Sequence, residues 1–481
     1  MSDEAVAEFD LAVIGSGGAA FAAAIRATNL GKRVVMIERG TIGGTCVNVG
    51  CIPSKALLAA AAARHVAMDA SRFPGIEAMA GPVDMRELID GKRQLVESMR
   101  AEKYVDLIDE YGWELRRGNA TFAGSPEDPE LRVTGADGGT SSVRAAHYLV
   151  ATGSAPTIPP IEGLGDVDYL TSTTAMELDE VPESLLVLGG GYVALEMAQL
   201  FARLGSKVTM LVRSRLASAE EPEASKALSG ILMDEGVRVF RRAAVTAFRT
   251  DPGNGDVIAT ASISGGPEEA FRASRVLVAT GRRGVTDGLD LETVGVGVGD
   301  HGEVRIGRDL ATTNPRIWAA GDVTGQYEFV YVAASHGSMA VDNAFTETRR
   351  QIDYGHLPRV TFTSPNLAAV GMTEADVIRA GIRCTCRVLP LEYVPRAIVN
   401  RDTRGFIKVV ADADTNRILG ITAVAADAGD LAAAGVYILE AGMTVDQVAH
   451  MWSPYLTMAE GIKIACQSFT TDISKLSCCA A

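Results

Sequence analysis

One glycine pattern occurs twice in this 481-residue chain and constrains its fold more than any other feature. Both copies read G-x-G-x-x-A and lie between an apolar strand and an apolar helix. The first glycine allows a tight turn, the second lets the backbone approach a pyrophosphate, and the alanine allows the helix to pack closely on the sheet. The pattern therefore predicts two α/β units that each bind a dinucleotide. Its residues are Gly15, Gly17 and Ala20 in the first copy and Gly189, Gly191 and Ala194 in the second.

The residue after the second strand of each unit distinguishes the two cofactors. Strand 33–37 is followed by Glu38, at the spacing where an acid binds a free ribose hydroxyl of FAD or NAD. The equivalent position of the second unit is Val212, which Arg213 and Arg215 follow. Arginines in place of the acid favour a 2′-phosphate, although a solvated loop is the alternative explanation for them. We therefore predict FAD at the first site and NADPH at the second.

A pair of cysteines, Cys46 and Cys51, follows the first unit directly. We expect Cys46 to open an irregular turn and Cys51 to lie near the start of a helix that begins around Pro53. Because a helix N-terminus lowers the pKa of a thiol, one of the two sulfurs should be a reactive thiolate. The alternatives are a structural disulfide or half of a zinc site, but no second pair at zinc-site spacing accompanies this one. The position after a dinucleotide unit favours a redox-active pair facing a flavin.

Composition excludes several classes of function. The net charge of -15 argues against a nucleic-acid surface and a polybasic membrane contact. The acidic start 1–4 lacks the basic region of a signal peptide, and we expect no uninterrupted apolar run long enough to span a bilayer. The odd number of seven cysteines argues against a secreted disulfide framework. We expect a soluble cytoplasmic protein of two or three domains.

Later motifs indicate how the chain is divided. Two strands end in Ala-Thr-Gly, at 151–153 and 279–281, which suggests that the chain leaves the first unit and later returns to it. A further strand ends in Gly321-Asp322, where Asp322 either meets a hydroxyl of the flavin chain or caps a helix. From about 346 onward, alternating strands precede helical stretches near 428–441 and 457–469. We predict an FAD-binding domain of residues 1–152 and 275–345, an NADPH-binding domain of residues 153–274 and a C-terminal domain of residues 346–481.

Taken together, these features resemble the pyridine nucleotide–disulfide oxidoreductases over nearly the whole chain. The resemblance implies two Rossmann-like domains, for FAD and NADPH, and a C-terminal α+β domain through which a homodimer forms. It implies that electrons pass from NADPH through the flavin to Cys46 and Cys51, since the cofactors perform the hydride chemistry. It also implies further contacts with the flavin and the nicotinamide: Lys55 pairs with Glu196, Tyr192 covers the flavin, and Thr45 and Gly153 bind cofactor.

The C-terminal sequence selects a reaction within this family. Disulfide-reducing members carry a His-Pro and a following Glu as proton donor and orienting group, whereas this chain has Ser453-Pro454 and Met458 there. The tail carries Cys478 and Cys479, whose thiolates suit a soft ion such as Hg(II). In these features the chain resembles the members that reduce mercuric ion. That resemblance implies transfer of Hg(II) from the Cys478/Cys479 pair of one subunit to the inner pair of the other, past Tyr192 and Tyr455.

The resemblance thus predicts reduction of Hg(II) to Hg(0) by NADPH, as a means of mercury detoxification. One alternative is a disulfide reductase of the dihydrolipoamide dehydrogenase or glutathione reductase type, against which the missing histidine argues. Another is a thiol metal buffer or redox sensor, which has no use for two dinucleotide sites. Cys384 and Cys386 should share one face of a strand, where an ordinary strand is favoured over a ligand role because no partner ligand is visible. Cys466 should lie in the core.

Overall fold

The computed structural model describes residues 8–475, which form two compact units. Within that range the first unit holds the chain up to residue 56 together with 87–157 and 281–352. The second unit holds 57–86, 158–280 and the chain from 353 onward. The division into three domains that the sequence predicts stays a prediction. Cys478 and Cys479 lie outside the described residues.

A five-stranded parallel sheet forms the centre of the first unit. Its middle strand, Phe9–Ile14, is buried except at Asp10, as expected for a parallel strand that is covered on both faces. Leu11 and Val13 pack on one face with the helices Gly18–Asn29 and Val330–Phe345. Alternate residues of a strand point to opposite faces, so the remaining side chains pack beneath an antiparallel sheet. In spatial order the strands are Ile317–Ala319, Ala145–Val150, Phe9–Ile14, Val34–Glu38 and Glu114–Arg117.

The other elements that lie wholly or partly in the first unit are two small sheets and several helices. A three-stranded antiparallel sheet consists of Asn119–Gly124, Pro129–Thr134 and Thr140–Val143. A two-stranded sheet pairs Ser154–Pro156 with Arg282–Gly284. The helices are Gly44–Asn48, Cys51–Met68, Met85–Arg100 and Asp106–Tyr111, with a π-helical turn at Ala101–Val105.

The second unit repeats the parallel arrangement. Its parallel sheet has the spatial order Arg238–Arg241, Lys207–Val212, Ser184–Leu188, Arg275–Val278 and Tyr169–Leu170. A three-stranded antiparallel sheet consists of Ala243–Thr250, Val257–Ile263 and Glu268–Ala273. The helices of this part of the unit are Ser172–Ala175, Tyr192–Leu204 and Pro222–Asp234.

The C-terminal part of the second unit is an antiparallel sheet with helices packed on it, which is the predicted α+β arrangement. Its strands, in spatial order, are Arg359–Thr361, Asn366–Gly371, Ile418–Ala425, Phe406–Asp412 and Cys384–Pro390. The predicted helices near 428–441 and 457–469 are confirmed, and Cys466 lies in the core as expected. The helices are Glu374–Arg379, Pro395–Val399, Ala428–Glu440, Val445–His450 and Glu460–Gln467.

Among residues 8–475, one helical stretch, Gly44–Met68, is long and apolar enough to cross a membrane by length and composition alone. Core helices of soluble proteins pass the same test, so the stretch is weak evidence for a membrane span. Asn48 and Lys55 interrupt it, and it therefore differs from the uninterrupted apolar run that spanning helices show.

Two helix glycines, Gly337 of the first unit and Gly230 of the second, test the effect of tight packing. At Gly337 an added Cβ would lie 2.1 Å from the carbonyl oxygen of Ala19, whereas at Gly230 it would meet nothing within 4 Å. We expect Gly337→Ala to lower the free energy of unfolding by about 1–3 kcal/mol, because overpacking shifts the backbone. Gly230→Ala should raise it by about 0.5–1 kcal/mol, because alanine favours the helix. Urea unfolding followed by circular dichroism measures both, and a similar loss in both variants would contradict the packing argument.

Candidate active site

The first glycine turn is closed by direct contact with the end of a neighbouring strand. Gly15 has φ +105°, and an added Cβ would lie 2.4 Å from the carbonyl oxygen of Ala151. The Gly15 amide donates to Ile37 O at 2.8 Å, and the Ala151 amide donates to Ile14 O at 2.9 Å. Only glycine fits position 15, because both the φ angle and the space exclude a side chain. The 151–153 segment therefore begins beside this turn, and its contact with a cofactor stays a prediction.

Glu38 is held in a fixed position at the end of its strand. One carboxylate oxygen accepts a hydrogen bond from Ser16 Oγ at 2.6 Å, and the other accepts from the Gly40 amide at 2.6 Å. Ser16 belongs to the glycine turn, so the carboxylate lies at the mouth of that turn. This arrangement fits an acid that receives ribose hydroxyls, and that role of Glu38 stays a prediction.

The loop that leads to the cysteine pair lies directly on the same turn. Gly43 has φ +104° and Gly44 has φ +65°. The Gly43 amide donates to Ser16 O at 3.1 Å, and a Cβ on Gly44 would lie 2.5 Å from Gly17 Cα. The backbones of the loop and the turn therefore touch without room for a side chain between them. This contact fixes the position of the loop from which the helix that contains Cys46 starts.

The cysteines themselves lie on helices, which corrects one expectation and confirms another. Cys46 lies within the short helix Gly44–Asn48 and not in an irregular turn. The next helix begins at Cys51, two residues before Pro53, so Cys51 lies at a helix start as expected. Both residues are half-buried, and neither forms a disulfide within residues 8–475. The two cysteines therefore lie on consecutive helices of the chain.

The Cys46 thiol keeps its proton in this arrangement. The hydrogen bond to the Cys51 sulfur and burial raise the pKa of Cys46 well above its ordinary value, while the nearby Lys55 charge opposes the shift. Of the two sulfurs, Cys46 is therefore not the thiolate that the sequence predicts. The geometry is that of two cysteines whose sulfurs share a hydrogen bond, which is suited to closing a disulfide or to binding a thiophilic ion.

Two residues near the pair were missed by the sequence analysis. Asn48 donates from its side-chain amide to Ile42 O and Gly44 O, both at 2.9 Å, and so holds the loop closed. Tyr104 lies in the π-helical turn; burial and then the charges of the two cysteines raise its pKa. π-helical turns within α-helices often occur at functional sites, but no sequence pattern predicts them.

Asp322 takes part in a polar chain beside the 151–153 segment. It accepts from Ser154 Oγ at 2.9 Å, and Ser154 Oγ accepts from Arg282 Nε at 2.8 Å. The one-turn helix that contains Asp322, Gly321–Thr324, has no side-chain cap, so the capping alternative finds no support there. Its contact with the flavin chain stays a prediction, as do the contacts of Gly153 and Thr45.

The glycine turn of the second unit also packs against the carbonyl oxygen at the end of a neighbouring strand. Gly189 has φ +132°, and a Cβ there would lie 2.2 Å from the carbonyl oxygen of Ala279. A Cβ on Gly190 would lie 2.5 Å from Val212, and the Ala217 amide donates to Gly190 O at 2.8 Å. The loop that follows strand Lys207–Val212 is thus pinned to the turn, as a nucleotide-binding loop requires.

The two arginines of that loop differ in position. Arg213 is exposed. Arg215 Nη2 donates to Ser218 O and Glu220 O, whereas its Nη1 is buried without a hydrogen-bond partner among residues 8–475. A cavity of about 460 Å³ adjoins it; the lining includes Arg215, Arg241 and Arg242. A buried guanidinium nitrogen without an acceptor, beside a basic cavity, fits an anionic group such as a 2′-phosphate.

The remaining predicted residues belong to the second unit, apart from Lys55. Tyr192 begins the helix Tyr192–Leu204 and is 38% exposed, and Tyr455 is 49% exposed. Glu196 is 4% exposed and accepts from the Phe362 amide at 2.9 Å. The pairing of Lys55 with Glu196 and the roles of the two tyrosines stay predictions.

Comparison with known proteins identifies the family. Residues 9–337 match the family described as pyridine nucleotide-disulphide oxidoreductase, and residues 357–466 match its dimerisation domain. A mercuric reductase from Streptomyces lividans is 59% identical over 98% of both chains. A mercuric reductase from Staphylococcus aureus is 44% identical over 98% of this chain and 84% of that protein. The Cu(II) complex of the HOCl-induced flavoprotein disulfide reductase RclA from Escherichia coli has a TM-score of 0.84 and 28% identity, covering 96% of this chain and 99% of that one.

These matches confirm the predicted fold class and the predicted cofactors, FAD and NADPH. The dimerisation domain supports the predicted homodimer. The chain therefore belongs to the pyridine nucleotide-disulphide oxidoreductase family, as an NADPH-dependent flavoprotein oxidoreductase.

Proposed function

We propose that this protein reduces Hg(II) to Hg(0) with electrons from NADPH, using the thiols of Cys46 and Cys51 as the inner metal site, in mercury detoxification. The reaction balances as NADPH and Hg(II) giving NADP⁺, Hg(0) and a proton. The observation that carries the proposal is the pair of thiols, joined by a hydrogen bond, whose loop lies on the first glycine turn. The similarity to the two mercuric reductases, at 59% and 44% identity, supports the same substrate.

Each glycine turn fits its proposed cofactor. At Gly17 no side chain stands between the backbone and an approaching pyrophosphate, and Glu38 offers carboxylate oxygens to ribose hydroxyls. At Gly189 the same turn serves NADPH, with Arg215 Nη1 directed to the 2′-phosphate. FAD and NADPH supply the two-electron chemistry, while this chain positions them and holds the metal ion.

The two thiols suit a soft metal ion. Thiolate ligands select such ions over hard ones, and each thiol gives up its proton when it binds the metal. Cys46 holds its proton until then, because its hydrogen bond to Cys51 and burial raise its pKa. Binding of Hg(II) replaces that hydrogen bond with two sulfur–metal bonds and leaves the ion where two electrons can reach it.

The C-terminal residues support metal over disulfide reduction. The place of the expected orienting Glu is taken by Met458, which is 6% exposed in the C-terminal core. Glu460 is buried, and its carboxylate accepts from the Leu456 amide at 3.3 Å. His450 is bound to the Asp446 carbonyl of its own helix, at 2.8 Å. None of these described residues offers the proton donor that a leaving thiol needs.

The test of this proposal measures NADPH oxidation by the purified FAD-loaded protein in excess small thiol. The reactions contain HgCl₂, lipoamide or oxidised glutathione, and volatile mercury is trapped. Oxidation with Hg(0) release in the HgCl₂ reaction alone supports the proposal. Oxidation with a disulfide alone would instead establish the second candidate, a disulfide reductase, which the similarity to the flavoprotein disulfide reductase RclA favours. Tight Hg(II) binding without oxidation would establish a metal buffer.

Delivery of Hg(II) is proposed to pass between subunits. The Cys478/Cys479 pair of one subunit captures the ion and exchanges it stepwise onto the Cys46/Cys51 pair of the other, so that it is never released without a thiolate ligand. Tyr192 and Tyr455 line the path, and both are substantially exposed in the single chain. Free thiols and the use of NADPH fit a reducing compartment, and we place the protein in the cytoplasm.

Removal of the tail thiols tests the delivery step. We expect a Cys478→Ser/Cys479→Ser variant to lose turnover mainly with Hg(II) bound to bulky thiols, because a tethered pair acts at an effective concentration of roughly millimolar. Turnover with small Hg(II) complexes should change little. Ser477→Ala is the matched control, since it alters the same tail and leaves both thiols. Equal loss with both kinds of complex would contradict delivery by the tail.

Arginine substitutions test NADPH recognition. We expect Arg215→Ala to raise the KM for NADPH by about 10–100-fold, because charge-assisted hydrogen bonds to the 2′-phosphate are lost. The KM for NADH should not change, since NADH has no such phosphate. Arg213→Ala is the control at an exposed neighbouring position and should have a smaller effect. Steady-state kinetics with both nucleotides decides, and a parallel loss with NADH would mean that Arg215 only supports the loop.

Two glycine variants test the binding of the flavin. Gly44 and Gly31 have similar positive φ angles, +65° and +71°, but only Gly44 lies against another backbone. We expect Gly44→Ala to reduce the FAD bound per chain, because its Cβ would push the loop away from Gly17. Gly31→Ala carries the same backbone strain and should keep its FAD. Flavin absorbance per chain after gel filtration measures this, and full FAD in Gly44→Ala would contradict the contact.

A further inference from the structure

A second thiol pair lies on the edge strand of the C-terminal sheet. Cys384 and Cys386 are two residues apart on strand Cys384–Pro390, so both side chains point to the same face. Opposite this strand runs Phe406–Asp412, where Lys408 pairs with Val388 and therefore shares that face. Both thiols are free and half-buried. The pairing thus places two sulfurs and a buried ammonium group on one surface of the sheet.

The partner ligand that the sequence did not reveal is Glu374. It is the first residue of helix Glu374–Arg379, ten positions before Cys384. One carboxylate oxygen of Glu374 and the two sulfurs all lie within 4.8 Å of one another, and all three residues are partly buried. Within residues 8–475 this is the one group of three or more such side chains with metal-site spacing.

The surroundings of the group carry excess negative charge. The Lys408 side chain is 1% exposed and donates to Glu221 at 3.0 Å, Glu223 at 3.0 Å and Glu374 at 2.7 Å. Three carboxylates face one ammonium group, which leaves a formal charge of about -2 on the cluster. Glu223 Oε2 is also buried without a hydrogen-bond partner in the described part of the chain. A divalent cation beside this cluster would compensate charge that Lys408 leaves unbalanced.

We propose that Cys384, Cys386 and Glu374 form a binding site for a thiophilic divalent cation, of which Zn(II) and Hg(II) are the two candidates. Sulfur–metal bonds of about 2.3 Å place two sulfurs about 3.8 Å apart in a tetrahedral site and about 4.6 Å apart in a linear one. Both separations fit the observed group. The carboxylate is the third ligand, and water completes a tetrahedral shell around zinc.

Uptake is an exchange of protons for the metal ion. Two thiols bind one dication as thiolates and release two protons, and no electrons are transferred. The Cys386 thiol is protonated beforehand, because burial and the Glu374 charge raise its pKa to about 12. The site uses none of the residues of the proposed Hg(II) reduction, so the two proposals can be tested independently of each other.

The experiment uses the full-length, FAD-loaded protein with the other reactive thiols removed: Cys46→Ser, Cys51→Ser, Cys478→Ser and Cys479→Ser. This background is dialysed against Zn(II) or Hg(II) with a competing chelator, and bound metal per chain is measured by mass spectrometry. We expect one ion per chain, no bound ion after Cys384→Ser/Cys386→Ser, and affinity lowered about 10–100-fold by Glu374→Gln. The metal that binds under these conditions identifies the occupant.

Thr385→Ser provides the matched control, because Thr385 lies between the two cysteines and points to the opposite face. It should bind metal like the background. Circular dichroism checks that each variant is folded. Absence of bound metal in the background, or a full ion per chain after Cys384→Ser/Cys386→Ser, would overturn the proposal.

Discussion

The contact between Gly44 and Gly17 is the constraint on which the proposed active site depends. A Cβ on Gly44 would lie 2.5 Å from Gly17 Cα, so the cysteine loop and the glycine turn meet backbone to backbone. Positive φ angles at Gly43 and Gly44 turn the chain at this point, and Asn48 closes the loop behind it. The place of the thiols therefore follows from space and backbone geometry before any cofactor is considered.

The two glycine turns show how one backbone solution serves two cofactors. Gly15 and Gly189 each press against the carbonyl oxygen of a neighbouring strand, at Ala151 and Ala279. The difference lies just beyond the second strand of each unit. Glu38 is held by hydrogen bonds at the first turn, whereas Arg215 presents a buried nitrogen beside a basic cavity at the second. The charge of the residues at or just after the end of that strand thus distinguishes two sites that share a fold.

Local patterns predicted most of this fold, because the glycine turns, their strands and the later helices follow from nearby residues. The prediction failed where distant residues decide the environment. The pKa of Cys46 depends on Cys51 and burial, which outweigh the helix start. Tyr104 reaches the cysteines from a π-helical turn, and Glu374 reaches Cys384 and Cys386 across a turn of the chain. Spacing along the sequence predicts the Cys46/Cys51 pair but not its effect on the pKa. It shows neither the approach of Tyr104 nor that of Glu374, since these depend on how separate elements pack.

The central claim is that the thiol pair beside the first glycine turn receives Hg(II) and is needed for its reduction. Single-turnover experiments test this most directly: protein reduced with NADPH is mixed with one equivalent of Hg(II), and Hg(0) is measured. Cys46→Ser and Cys51→Ser should each keep flavin reduction by NADPH and lose Hg(0) formation. Hg(0) formation at the unmodified rate in either variant would contradict the account.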